Sequence, residues 1–412
     1  MYQPSFIKRL YHQSRRFLAK KWLRFWKPYQ IAIGGSQGKT NTARALAKVL
    51  SKFSHTVVTD INLDTIFNVP ITALKVMPWT KFAVFELGVD HIGEMNKHFE
   101  IVTPKIGVVT GISAVHTDSE HFGTLENLIK EERKLIEFLP KKEEGGVAIL
   151  NYDDEDVRNM ASFTKAKVIF YGHKKEKCQY YFDKNSVKVS LGGTQFKLFS
   201  KSSNNFQYVS TKLIGLHHAY NLTAVFVVLK TIFHNHSEVD NIFNKTVSEI
   251  EPLRGRMNIE KGPMETILLN DCLRASPKST DEGLKTFYKI DYKKGRKIAI
   301  LGVMGELYDP IKEHKNTAKT LIKYPPDIVV GVGEFRKYTI DEAINLGFAK
   351  DKLFFAKDVF EAADILKKII KPGDFLYLKS SLLRNLWRII KILNNQPICC
   401  RKELCPYEHC RL

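Results

Sequence analysis

The sequence predicts an α/β protein in which a larger domain with a mainly parallel sheet is followed by a smaller Rossmann-like α/β domain. Three observations predict it. The β-rich run Ile31-Ala32-Ile33 leads into Gly34-Gly35-Ser36-Gln37-Gly38-Lys39-Thr40 and then into the helical pattern Thr42–Phe53. Short β-rich runs recur at Phe82–Phe85, Ile106–Thr110, Val147–Leu150 and Val168–Tyr171, separated by helical or turn-rich stretches, the alternation of a parallel sheet covered by helices. A second series, Thr266–Leu269, Lys297–Leu301, Ile328–Val332 and Phe375–Leu378, starts after Pro252.

The glycine-rich loop gives the first domain its chemistry. Glycines let backbone N–H groups wrap an anion at a helix N-terminus, while a lysine neutralises terminal phosphates and a hydroxyl ligates magnesium. In this chain those groups are Gly35, Ser36, Gln37, Gly38, Lys39 and Thr40. The usual Walker spacing would put a glycine at position 33, where this chain has Ile33, so the loop is a shorter variant. The first domain therefore reads as a central P-loop ATPase domain, and nucleotide sites in such sheets lie at the carboxyl ends of the strands.

At 412 residues, with 44% hydrophobic residues, the chain can bury a core large enough for two domains. The expected division is a basic amphipathic segment over 1–28, the ATP-binding domain over 29–252, the second α/β domain over 253–393 and a cysteine-rich tail over 394–412. The formal charge of +20 implies an anionic partner: a nucleotide, a nucleotide-linked substrate, nucleic acid or a membrane surface. The charge is uneven, since Asp60 is the first acidic residue. Residues 1–28 carry Lys8, Arg9, Arg15, Arg16, Lys20, Lys21, Arg24 and Lys27 among Ile7, Leu10, Phe17, Leu18, Trp22, Phe25 and Trp26. Such a helix either lies on anionic lipid or packs on the protein with its basic face in water.

No apolar run reaches bilayer-spanning length, and the N-terminus lacks the apolar core of a secretory signal. The expected location is the cytoplasm, with the inner membrane surface as the site of any association. Four of the six cysteines crowd into the last fourteen residues, unlike a secreted disulfide framework. Cys399, Cys400, Cys405, His409 and Cys410 offer enough ligands for zinc but no Cys-x-x-Cys pair, and His91, His116, His121, His217 and His218 match no zinc spacing.

Further segments follow the loop in a recognisable order. They are Phe85-Glu86-Leu87-Gly88-Val89-Asp90-His91-Ile92-Gly93-Glu94, then Val109-Thr110-Gly111-Ile112 leading to His116, and Phe122-Gly123-Thr124-Leu125-Glu126-Asn127. Asn151-Tyr152-Asp153-Asp154, Gly215-Leu216-His217-His218-Ala219-Tyr220-Asn221, Gly255-Arg256-Met257, Leu301–Leu307 and Pro372-Gly373-Asp374 through Lys379-Ser380-Ser381 complete the set. With Gly-Ser-Gln-Gly-Lys-Thr, this series resembles the Mur ligases, the ATP-dependent amino-acid-adding enzymes of peptidoglycan synthesis. Within them it is most similar to the MurF branch, which adds D-alanyl-D-alanine. The similarity covers roughly residues 30–390.

The resemblance implies ATP and Mg2+ and a two-step reaction. A substrate carboxylate attacks the γ-phosphate, and an amine then displaces phosphate from the acyl phosphate; both steps gather negative charge. By position, Lys39 would neutralise that charge, Thr40 and Glu86 would hold a first metal, and His116 a second. In the family a carbamylated lysine commonly supports the second metal, and Glu132 stands at that place here. A glutamate supplies the same charge unmodified; the alternative is a solvated member of the charged run Lys130–Lys134. Asn221 would lie near adenine, with Arg256 and Asp271 at ribose or phosphate. Arg256 could equally pair with an acid between domains, and His217 and His218 could be cap or core histidines. Lys379 either reaches the active site from the second domain, which would require domain closure, or is a surface lysine.

The pattern also departs from the branch. Only about thirty residues precede the loop, where the MurF branch carries a domain gripping the UDP-sugar, so that grip is expected to be absent or differently made. Asp64-Thr65 replaces twin asparagines ahead of Asn68-Val69-Pro70, and Leu273-Arg274-Ala275-Ser276-Pro277 replaces a Tyr-Asn-Ala-Asn-Pro stretch. The expected substrates are an anionic cell-wall precursor and an amino acid or dipeptide. The competing readings are another amide ligase of the superfamily, of folylpolyglutamate or poly-glutamate type, and an ATP-binding scaffold or nucleic-acid binder without catalysis. Two metal positions argue against a scaffold.

Overall fold

The computed structural model describes residues 6–60, 65–201, 206–234, 237–398, 402, 404 and 405, with side chains from Leu10 onward. Asp64, Cys399, Cys400, His409 and Cys410, singled out in the sequence, lie outside the described residues, as do the side chains of Ile7, Lys8 and Arg9. The chain divides into two compact units. The first comprises Met1–Val187, Gln195–Thr211 and His217–Ile250; the second comprises Lys188–Thr194, Lys212–Leu216 and Glu251–Leu412. Two short pieces that precede Pro252 thus group with the second unit.

The strands in chain order are β1 (Tyr29–Gly34), β2 (Thr56–Val58), β3 (Phe82–Glu86), β4 (Ile106–Val109), β5 (Val147–Asn151), β6 (Lys167–Gly172), β7 (Tyr180–Phe182), β8 (Lys188–Ser190), β9 (Gly193–Ser200) and β10 (Phe206–Thr211). The first unit's sheet runs β10-β9-β7-β6-β5-β4-β1-β3-β2. It is parallel from β2 through β7 and antiparallel at β7–β9. β1, β3, β4 and β5 are buried along nearly their whole length, which is why they read as continuous apolar runs rather than alternating ones.

The order reverses at β1. The chain lays β2 and β3 on one side of it and β4, β5 and β6 on the other, so β1 ends at the crevice where open parallel sheets bind ligands. Ile33 pairs with Glu86 and Gly34 with Val109. The loop after Gly34, the carboxylate of Glu86 and the segment from Thr110 therefore leave the sheet side by side.

Helices cover this sheet. Lys39–Leu50 starts three residues earlier than its apolar pattern, because Gly38 takes a left-handed conformation (φ 83°) that lets the helix begin at Lys39. His217–Ile232 is buried on nearly all sides, as expected for a helix that is apolar all round. Phe6–Trp26 packs Ala19 and Leu23, both fully buried, into the same core as Val69, Ala73 and Val76. Trp22 Nε1 donates to the Val76 carbonyl at 2.7 Å, and Arg16 pairs with Glu100 at 3.2 Å. One face of the basic helix is thus a protein contact.

In the second unit, β11 (Asn258–Lys261), β12 (Ile267–Asp271), β13 (Lys297–Leu301), β14 (Ile328–Val332), β15 (Leu353–Ala356) and β16 (Phe375–Lys379) form a sheet in the order β11-β12-β16-β13-β14-β15. Only β11 is antiparallel. Three of its helices start on clear caps: Ser276 with Ser279 and Pro277, Asp309, and Asp358. Among the described residues, no helix is long and apolar enough to cross a membrane.

Candidate active site

The loop is built against the segment that follows β4. Ser36 N donates to the Gly111 carbonyl at 2.8 Å, and the Thr110 hydroxyl donates to the carbonyls of Gly34, at 3.0 Å, and Gln37. A Cβ on Gly35, whose φ is +107°, would lie 2.8 Å from the Thr110 hydroxyl and 2.9 Å from the Gly111 carbonyl. No other residue fits there. Behind the segment, Asp154 accepts from Ile112 N at 3.0 Å, and Asn151 Nδ2 donates to the Thr110 carbonyl at 3.0 Å. The Lys39 ammonium folds back on the Gly35 carbonyl. At the start of helix Lys39–Leu50 backbone N–H groups have no partner within the helix, and the dipole favours an anion.

Glu86, at the end of β3, accepts from the Thr40 hydroxyl at 2.9 Å, so the two proposed ligands of a first metal are already adjacent. The backbone beyond it is pinned from behind: the Gly88 carbonyl accepts from Thr65 Oγ1 at 2.6 Å and bonds His98 Nε2 at 2.9 Å. His98 is fully buried, and that burial lowers its pKa from 6.5 to about 4. An unfolded chain binds the proton between those two values and the folded one does not, so stability is present above pH 6.5 and is lost as pH falls towards 4. The loss expected from this residue is about 3 kcal/mol. Urea unfolding at pH 7 and pH 5 should show about 2 kcal/mol of that fall, and His98→Gln should flatten it.

Glu132 occupies the centre of the arrangement. Its helix, Leu125–Glu137, starts on the Thr124 hydroxyl and buries Leu128, Glu131, Glu132, Leu135 and Ile136. Glu132 is 1% exposed, which removes the solvated alternative. Its Oε2 accepts from Gly35 N at 2.7 Å. Its Oε1 is buried with no hydrogen-bond partner among the described residues. Burial raises its pKa, against the pull of Lys39, the Gly35 N–H and His116. Glu131, equally buried, has a structural part: it accepts from Met95 N at 2.9 Å and pairs with Lys134 at 2.6 Å.

His116 adopts a left-handed backbone (φ 54°), a strain that non-glycine residues carry where the surroundings impose it. It is buried, its Nε2 lies 3.4 Å from an Asp90 oxygen, and its ring centroid is 5.1 Å from that of His121. His121 in turn bonds Asp118 at 2.6 Å. Asn221 sits in the first turns of helix His217–Ile232, and its Oδ1 lies 2.8 Å from the Cβ position of Gly38. Its Nδ2 is buried and without a partner among the described residues. His217 and His218 open that helix, His218 fully inside.

Asp271, Arg256 and Lys379 belong to the second unit. Asp271 and Lys379 end β12 and β16 in register, and Lys379 Nζ donates to Asp271 Oδ2 at 2.7 Å with the Tyr377 hydroxyl at 3.1 Å. Lys379 is 3% exposed, so it is not a surface lysine. Burial raises the Asp271 pKa, opposed first by Lys379 and also by Arg256.

Sequence reasoning missed Thr110, Asp154, His98 and Asp90. Thr110, Asp154 and Asp90 lie inside segments quoted from the sequence, and that is the one signal that could have found them. His98 has none.

Comparison with known proteins fits this geometry. Residues 33–229 match the model of the Mur ligase middle domain. The UDP-N-acetylmuramoyl-tripeptide–D-alanyl-D-alanine ligase of Escherichia coli (strain K12) is 26% identical over 69% of this chain, and the match spans 60% of that relative's length. The ligase of the same name from Borreliella burgdorferi is 25% identical over 88% of this chain and 74% of its own. Among solved structures, MurF from Acinetobacter baumannii superposes with a TM-score of 0.80 at 22% identity, covering 93% of this chain and 80% of that one. MurF from Thermotoga maritima, in complex with ADP, gives 0.77 at 18%, covering 93% and 84%. These two show the fold. The chain thus carries a Mur ligase middle domain over residues 33–229 and is similar over most of its length to MurF ligases.

Proposed function

We propose that the chain is an ATP-dependent carbon–nitrogen ligase that joins D-alanyl-D-alanine, or a related amine, to a peptidoglycan precursor through an acyl phosphate. The observation that carries the reading is the convergence on one loop of Lys39, the Thr40–Glu86 pair and the buried Glu132 carboxylate. A phosphate-binding loop alone would serve any NTPase. A second buried carboxylate with an oxygen to spare, beside it, suits a reaction in which a phosphorylated carboxylate must be held and then attacked.

ATP is a substrate here, and two buried groups unpartnered among the described residues fit it and its metal: Glu132 Oε1 as a hard oxygen donor and Asn221 Nδ2 as a hydrogen-bond donor beside the loop. Thr40 and Glu86 would hold one Mg2+, and His116 with Glu132 a second. Bound there, magnesium would neutralise phosphate charge and leave the γ-phosphorus open to attack. Lys39 and the N–H groups after Gly38 bind the terminal phosphates and stabilise the charge that builds on them. The acceptor carboxylate forms a P–O bond as ADP leaves; the amine nitrogen then forms a C–N bond at the acyl carbon, losing a proton as phosphate departs. Asn221 orients the base.

The test is a phosphate-release screen with UDP-N-acetylmuramoyl-tripeptide as acceptor. The expected result is magnesium-dependent release stimulated by D-alanyl-D-alanine, with the peptide bond found in the product by mass spectrometry. Release driven by glutamate on a folate-type acceptor would move the assignment to the folylpolyglutamate type. Tight ATP binding with no acceptor-stimulated release would make the chain a scaffold.

A further inference from the structure

Helix Phe6–Trp26 is apolar on two faces, and the protein uses one of them. His12, Arg16, Ala19, Leu23 and Trp26 recur at helical three- and four-residue steps and turn inward; the ring centroids of His12 and Phe67 lie 4.6 Å apart, and Ala19 and Leu23 are wholly buried. Leu10, Tyr11, Phe17, Leu18 and Phe25 recur every second turn on the opposite side, which places them in one stripe. All five are exposed, Phe17 to 61% and Phe25 to 71%. A monomer has no folding reason to line an outward stripe with two phenylalanines, a tyrosine and two leucines.

The charge along that stripe is of one sign. No acidic residue occurs before Asp60. Lys21 and Arg24 are exposed among the apolar side chains, with Lys20 and Lys27 at the margin, and among the described residues none of the four forms an ion pair. Lys21 Nζ lies 5.7 Å from the Phe17 ring centroid. Trp22, whose indole is tied to the Val76 carbonyl, fixes the helix to a loop that carries two more exposed apolar side chains, Met77 and Trp79, between Lys75 and Lys81.

We propose that this outward stripe docks the protein on an anionic lipid surface, lying in the plane of the headgroups with the rings and leucines inserted and the cations on lipid phosphates. Charge selects lipid over another protein as the occupant. A protein groove receiving this stripe would have to carry acid for each exposed cation, and a second copy of the stripe would bring like charges together. The inward face anchors the helix to the sheet domain, so the whole domain rides on the membrane rather than a tethered tail.

The proposal goes beyond the ligase reading and is measured without it. The full chain is sedimented with vesicles of phosphatidylglycerol mixed with phosphatidylcholine, and with phosphatidylcholine alone. The expected result is retention by the anionic vesicles only, reduced by added salt. The triple variant Phe17→Ser, Leu18→Ser, Phe25→Ser should lower the partition coefficient about tenfold or more, with an unchanged melting temperature because the three side chains are exposed. Lys21→Glu with Arg24→Glu should lower it and weaken the salt dependence. Wild type left in the supernatant with anionic vesicles at low salt overturns the proposal. So does binding that ignores the triple variant, or a dimer in size-exclusion chromatography that the triple variant dissolves while vesicles never retain the wild type.

Discussion

Lys39→Ala should abolish acceptor-stimulated phosphate release, lowering kcat/KM by about a thousandfold or more, the scale seen when a group that stabilises transition-state charge is removed. The folded protein should barely notice. Lys39 is the first residue of its helix, its ammonium hydrogen-bonds the Gly35 carbonyl four residues back, and alanine is the best helix former. Melting temperature without nucleotide should therefore stay within a degree or two of wild type, while the rise given by ATP shrinks. A large drop in stability would show that Lys39 holds the loop together and would leave its chemical role unsupported. Thr40→Ala removes the hydroxyl that donates to Glu86, and its effect should appear as a higher magnesium requirement, separating the metal's contribution from the lysine's.

The parts of the site legible in the sequence are those whose residue types are themselves the chemistry. Glycines, a lysine and a threonine in one run announce a phosphate loop, and β1, β3, β4 and β5 announce themselves because strands buried on both sides are uninterrupted apolar runs. Residues whose part depends on long-range packing leave no such trace. Glu132 stands in a charged run and looks solvated; its burial follows from where the helix Leu125–Glu137 meets Gly34 and Gly35. Thr110 and His98 act on backbone carbonyls, work any polar side chain might do elsewhere. Asp271 and Lys379 are 108 residues apart and meet because β16 inserts between β12 and β13. β7 and β8 have three residues each and are partly exposed, so neither a period of two nor an apolar run marks them.

Glu132→Gln should separate the site's chemistry from its architecture. A glutamine oxygen can still accept from Gly35 N, so the loop keeps its support, while the charge that would hold the second metal is gone. Turnover should fall about a hundredfold, the upper range for removing a partner that sustains a metal site. Stability should move the other way. Burial raises the carboxyl pKa in the folded protein, so between the unfolded value of 4.5 and that raised value the folded state binds the proton more tightly. Stability then falls as pH rises through that window, and above it the ionised buried carboxylate imposes its full cost. The glutamine variant escapes that cost, so in metal-free buffer at neutral pH it should melt at or above wild type. Added MgATP should raise the wild-type melting temperature and raise that of the variant less. Wild-type turnover should also be indifferent to bicarbonate stripping, because Glu132 supplies without modification the charge that a carbamylated lysine would supply. A variant that turns over at the wild-type rate, or a wild type that loses activity when bicarbonate is removed, would take Glu132 out of the reaction.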